Sequence, residues 1–149
     1  MIEIIFVLAI LGIFLGMFYT TMIMNWTSFE EHTLRSDLWQ DANKIIETMS
    51  LDGRDAVQID VQDLNKTAVF RDSSGAIFMT YRITDKGEME RQKTGMPIAE
   101  IISTYMNFNK SLFEKKGKSL QSKLVLSDSV FGRPVDVLAS TEIYPRNNL

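Results

Sequence analysis

Cysteine is absent from all 149 residues. That excludes a disulfide framework, thiolate metal sites and a cysteine nucleophile together, and leaves the redox compartment unread. Histidine occurs once, as His32, so a structural zinc site has too few ligands and a His-based triad would have to use that residue. Neither a Walker loop nor G-x-G-x-x-G nor G-x-S-x-G is present. A positive excess is missing as well. The net charge is −3 and the pI about 5.2, so no global basic field points to nucleic acid. With no catalytic constellation, cofactor motif or metal-ligand set in view, the expectation is a non-enzymatic chain without cofactor or metal.

Two more absences are local, and they organise the chain. No charged residue lies between Ile4 and Met24, and no proline interrupts residues 1–50. An apolar run of ~20 residues matches the hydrocarbon thickness of a bilayer when helical. The run is too long, and too bare of flanking charge, for an ordinary cleaved signal peptide, and no small-residue cleavage site follows it. Trp26 stands where an interfacial aromatic anchor belongs. Gly12 and Gly16 form a G-x-x-x-G, the spacing that lets helix backbones approach closely in lipid. Glu3 is the one charge in residues 1–26. It falls roughly opposite the two glycines at 100° per residue, and no cation precedes Arg35 to neutralise it.

Beyond the apolar run the pattern becomes amphipathic. Leu34, Leu38, Ala42, Ile45 and Met49 make one stripe, widened by Trp39 and Ile46, with polar residues opposite. Asp52-Gly53 is the expected stop. From Ala56 the period is two: strands are expected at Val57–Val61, Ala68–Arg71 and Ile77–Ile83, with a return over Glu88–Gln92. Turns fall at Asp72–Gly75 and Asp85–Gly87. The stripe from Leu34 to Met49 is the expected lid on this three-strand meander. Further strands are expected at Leu120–Leu126 and Val135–Ile143, with a loop at Phe131–Pro134. The fold class is therefore α+β: a long N-terminal helix packed on an antiparallel sheet. Its parts are 1–26, the membrane half of the helix; 27–51, the amphipathic half; and 52–149, a β-rich domain.

The segment Met1-Ile2-Glu3-Ile4-Ile5-Phe6-Val7-Leu8-Ala9-Ile10-Leu11-Gly12-Ile13 resembles the N-terminal signature of type IV pilins and of the pseudopilins of type II secretion. In that family the pattern Thr-Leu-Ile-Glu precedes a long aliphatic run; here Met1-Ile2-Glu3 matches its end, with Met for Leu. The family's basic leader, its Gly and the first two mature residues are not among these residues, and the expectation is that the sequence begins at an internal Met of the reading frame. The closing Ser140–Asn148 and the Tyr81–Arg91 hairpin resemble minor pilins more loosely. The resemblance implies a long first helix packed on an antiparallel sheet, processing by a prepilin peptidase with methylation, residence in the bacterial inner membrane as a single-pass protein with its domain outside the cytoplasm, and assembly with other pilin or pseudopilin subunits into a filament. Glu3 would neutralise the N-terminal amine of a neighbouring subunit. The alternative is a single-pass membrane-anchored binding domain that does not polymerise, which leaves Glu3 unexplained.

Two clusters outside the helix need weighing. Lys110, Lys115, Lys116, Lys118 and Lys123, with Glu114 among them, make residues 110–123 locally basic. An exposed edge protected against strand addition is favoured over a nucleic-acid site. Asp52, Asp55, Asp60 and Asp63 lack the D-x-D-x-D-G spacing of a calcium loop. Asn25-Trp26-Thr27 and Asn65-Lys66-Thr67 match glycosylation sequons.

Overall fold

The computed structural model describes residues 2–145; Met1 and the closing Arg146-Asn147-Asn148 lie outside the described residues. One helix, α1 (Ile2–Asp55), opens the fold. Its 54 residues correspond to about 81 Å at 1.5 Å per residue. Among the described residues eight strands follow: β1 (Gln58–Gln62), β2 (Thr67–Arg71), β3 (Ile77–Ile83), β4 (Met89–Lys93), β5 (Glu100–Ser103), β6 (Leu112–Lys116), β7 (Ser119–Val130) and β8 (Arg133–Ile143). They form two antiparallel sheets, a five-stranded meander β1-β2-β3-β4-β5 and a three-stranded sheet β6-β7-β8. An α+β fold with a long N-terminal helix on antiparallel sheet is what the periodicities predict.

The predicted stripe is the packed face. Leu38, Ala42, Ile45 and Met49 are buried, and Leu34 packs partly buried against the same core. Tyr81, Phe70, Phe113, Leu120 and Leu124 complete that core from both sheets. Phe70 and Tyr81 meet edge-on with centroids 5.4 Å apart, a geometry worth about 0.5–1.5 kcal/mol beyond area burial.

The helix does not stop at Asp52-Gly53. It continues to Asp55, because Gly53 keeps helical geometry and is buried. A Cβ there would lie 2.2 Å from Ile143 Cγ2, so this glycine serves close packing, not termination. Arg54 in the last turn complements the helix dipole. The chain then turns into β1, where the Val57 amide donates to the Arg71 carbonyl at 2.8 Å.

The lid also differs from expectation. The meander has five strands, and the helix backbone approaches β8 and β7 more than any strand of the meander. The long β7–β8 hairpin supplies a bed along the whole packed half of α1. Arg133, at the start of β8, flanks a cleft shared with Thr27, Ser28 and Glu31, and Ile143, at its end, meets Gly53. Val135, Val137, Ala139 and Ile143 face the core from β8 as the alternation predicts.

The expected loop at Phe131–Pro134 is a two-residue turn. Val130 pairs with Arg133, and Pro134 is already inside β8, an edge strand where a missing amide is tolerated. Phe131 and Gly132 have φ of 49° and 75°, the left-handed pair of a type I′ hairpin turn that matches strand twist.

Candidate functional site

Of α1, the half without charge is also the half without packing. Every residue from Ile2 to Trp26 is exposed, including Phe6 at 66% and Phe14 at 70%. The most apolar stretch has a mean hydropathy of 2.5 and no buried residue. The helix is therefore long and apolar enough to cross a membrane. The two threonine hydroxyls of this half are internally satisfied: that of Thr20 donates to the Gly16 carbonyl, and that of Thr21 to the Met17 carbonyl at 2.9 Å. In hydrocarbon this local pairing removes the penalty of an unsatisfied donor.

Glu3 lies in the first helical turn, favourably placed against the positive end of the helix dipole. Gly12 and Gly16 have open space where a Cβ would stand, with no atom within 4 Å. The predicted assembly residues thus lie together on an unpacked rod, while Leu34, Leu38, Ala42, Ile45 and Met49 hold that rod to the domain. Trp26 and Phe29 are exposed where the apolar half gives way to the packed one.

The basic segment is not a loop of free lysines. It is the β6–β7 hairpin, with Lys115 and Lys116 on β6, the outer strand of its sheet, and Lys118 in the connecting turn. Lys110 pairs with Asp136 at 2.5 Å, and Lys115 with Asp60 at 2.7 Å. Two cations of the segment are thus engaged within the domain. Asp60 also receives Arg71 at 3.1 Å. Hydrogen bonds from Lys115 and then from Gln58 and Arg71 bring its pKa down to about 2.

The aspartates do not converge. Asp63 accepts from the Thr67 hydroxyl at 2.8 Å, Asp60 serves Lys115 and Arg71, and Asp52 belongs to a separate cluster. Among the described residues no group of three His, Asp or Glu side chains is placed to hold a metal ion.

The Asp52 cluster was not legible in the sequence. Arg91 on β4 grips Asp52 of α1 with two bonds of 3.0 Å, and Tyr81 on β3 donates its hydroxyl to the same carboxylate. Arg91 also reaches Glu100 at 3.4 Å. Burial, then the Asp52 carboxylate, raises the Tyr81 pKa well above the usual tyrosine value; the Asp52 bonds raise that of Arg91. The phenol stays protonated and the guanidinium charged, so the arrangement is a joint between helix and meander. A second link runs from the Ser103 hydroxyl to Asp41 at 3.1 Å.

An open cleft of about 410 Å³ is lined by Lys66, Arg82, Glu88, Glu90 and Phe108 among others. One of its two lysines, Lys66, donates to the carbonyls of Phe108 and Ser111 and lies 4.6 Å from the Phe108 ring centroid. Burial lowers its pKa. Charges of both signs line the cleft.

The unpacked half of α1 is therefore the main functional candidate. No family model matches the chain, and no curated protein or solved structure matches it either.

Proposed function

We propose that this chain is a non-enzymatic filament subunit of the minor pilin or pseudopilin class, held in the bacterial inner membrane by Ile2–Trp26 before assembly and packed through the same segment afterwards. One observation carries the reading: a single unbroken helix is bare and apolar over its first half and locked to a β-rich domain over its second. A bare apolar rod needs lipid or other rods around it. Glu3 and the open Gly12–Gly16 side favour other rods as the final surroundings, because a carboxylate on such a segment calls for a cation that residues 2–34 do not contain except at His32. The likeness of Glu3 and the aliphatic run to the pilin signature points the same way.

On this reading Glu3 pairs with the terminal amine of a neighbouring subunit and fixes its register. In a dry helix bundle, removing one partner strands the other at a cost of roughly 3–5 kcal/mol. The test is to express the full reading frame with and without a prepilin peptidase and read the mature N-terminus by mass spectrometry. Cleavage followed by methylation of the new amine, with filaments lost in Glu3→Ala, is the expected result. An unprocessed N-terminus and indifference to Glu3→Ala would leave a membrane-anchored domain that does not polymerise.

A further inference from the structure

We propose that the tip of the β7–β8 hairpin, Phe131 with Arg133, is a second membrane contact that docks the domain on the phospholipid headgroup layer. The proposal rests on the reading that Ile2–Trp26 is inserted in a bilayer. Ile4–Met24 is about 31 Å long as a helix, close to the hydrocarbon thickness of about 30 Å. Headgroups bring the bilayer to about 40–45 Å, which adds roughly 5–7 Å per side, or about three to five helical residues. That places Asn25 to Phe29 in the headgroup layer. The hairpin tip is at this depth, because Phe131, Arg133 and Val135 line one cleft with Thr27, Ser28 and Glu31.

The residue types at the tip fit that depth and do not fit the turn. Phe131 has φ of 49°, a conformation in which a type I′ turn favours Asn, Asp or Gly. Its ring covers no core: it is 68% exposed. An aromatic held in a left-handed turn without packing inside its own domain is placed to contact something outside it. Trp26 at 59% and Phe29 at 68% exposure lie at the same level on α1, so the three rings form an aromatic belt at the expected interface. Arg133 is exposed and forms no ion pair among the described residues. A guanidinium at headgroup depth has lipid phosphate as its natural bidentate partner. Two contacts, the helix and the tip, would fix the tilt of the domain over the membrane before assembly.

The absence of cysteine supplies the test. Ser129→Cys beside the tip, and Ser73→Cys in the β2–β3 turn at the far end of the domain, each create the chain's one thiol for an environment-sensitive fluorophore. The full chain is reconstituted in vesicles of phosphatidylethanolamine and phosphatidylglycerol, and carbonate-resistant sedimentation reports insertion independently. The expected result is a blue-shifted emission, shielded from iodide, at position 129 and not at 73. Adding Phe131→Asn should abolish the blue shift while thermal stability holds or rises, since Asn suits the turn better. Equal iodide quenching at 129 and 73 in sedimenting protein overturns the docking alone. Failure to sediment overturns insertion, and the docking with it. Shielding that appears only in assembled filaments assigns the tip to a neighbouring subunit and overturns the lipid contact.

Discussion

Gly53 shows how one missing side chain sets the distance between two elements. In the sequence it follows an aspartate at the end of an amphipathic stripe and reads as a helix stop. In the fold it is a point of close approach between α1 and β8, with Ile143 Cγ2 filling the space of its absent Cβ. Gly53→Ala gains up to about 1 kcal/mol of helix propensity and loses about 1–3 kcal/mol to overpacking. The clash is against the branch of a fully buried residue, so loss wins. A lower midpoint in thermal unfolding followed by near-UV circular dichroism is expected. Ile143→Ala, which removes the clashing methyl, should restore part of the loss in the double variant, giving a non-additive cycle.

Between elements, two polar joints determine how the sheets meet the helix and each other. Asp52, Tyr81 and Arg91 tie α1 to β3 and β4, with Asp52 only 13% exposed. Arg91→Leu leaves that carboxylate with the Tyr81 hydroxyl alone, and hydrogen bonds to charged groups are worth about 1.5–3 kcal/mol. A destabilisation of about 2 kcal/mol by urea unfolding in detergent is expected, largely relieved when Asp52→Asn is added. The second joint, Asp60 with Lys115, links β1 of the meander to β6 of the other sheet. Its carboxyl titrates at about 2 when folded, below the ordinary value of 3.8. The folded state therefore holds this proton more weakly than the unfolded chain. Its stabilisation is full above the unfolded value and is lost as pH falls through about 2. Lys115→Met removes the largest cause, so the Asp60 carboxyl should titrate at higher pH by NMR, and the urea midpoint should change less between pH 5 and pH 2.

At the scale of the molecule, the two halves of α1 do different work. No side chain from Ile2 to Trp26 is buried, while Leu38, Ala42, Ile45 and Met49 are at the centre of the core. Deleting residues 2–26 should yield a protein soluble without detergent. Its near-UV circular dichroism should match that of the full chain in micelles, with a melting temperature within a few degrees. A molten product, or one that still needs detergent, would contradict this division. The proposed filament and the proposed headgroup contact both depend on it, because a rod that stabilises nothing inside its own domain is free to be bound from outside.

The long-period signals were legible without the fold. A charge-free run, a 3.6-residue stripe and the alternation of β8 each report which face avoids water, and that preference is written locally in side-chain chemistry. Glu3, Gly12, Gly16 and the stripe from Leu34 to Met49 could be named for that reason, and the stripe buries as its period predicts. The tertiary structure decided which surfaces meet. It extended α1 through Gly53, turned the lysine segment into an edge hairpin with two of its cations paired, and laid α1 chiefly along β7 and β8. It brought Asp52 to Tyr81 and Arg91, residues 29 and 39 positions away in the chain, and set Phe131 in one cleft with Thr27 and Ser28. Such pairings depend on strand register and on the path of the backbone, and a one-dimensional pattern records which side of a residue is apolar but not what stands opposite it.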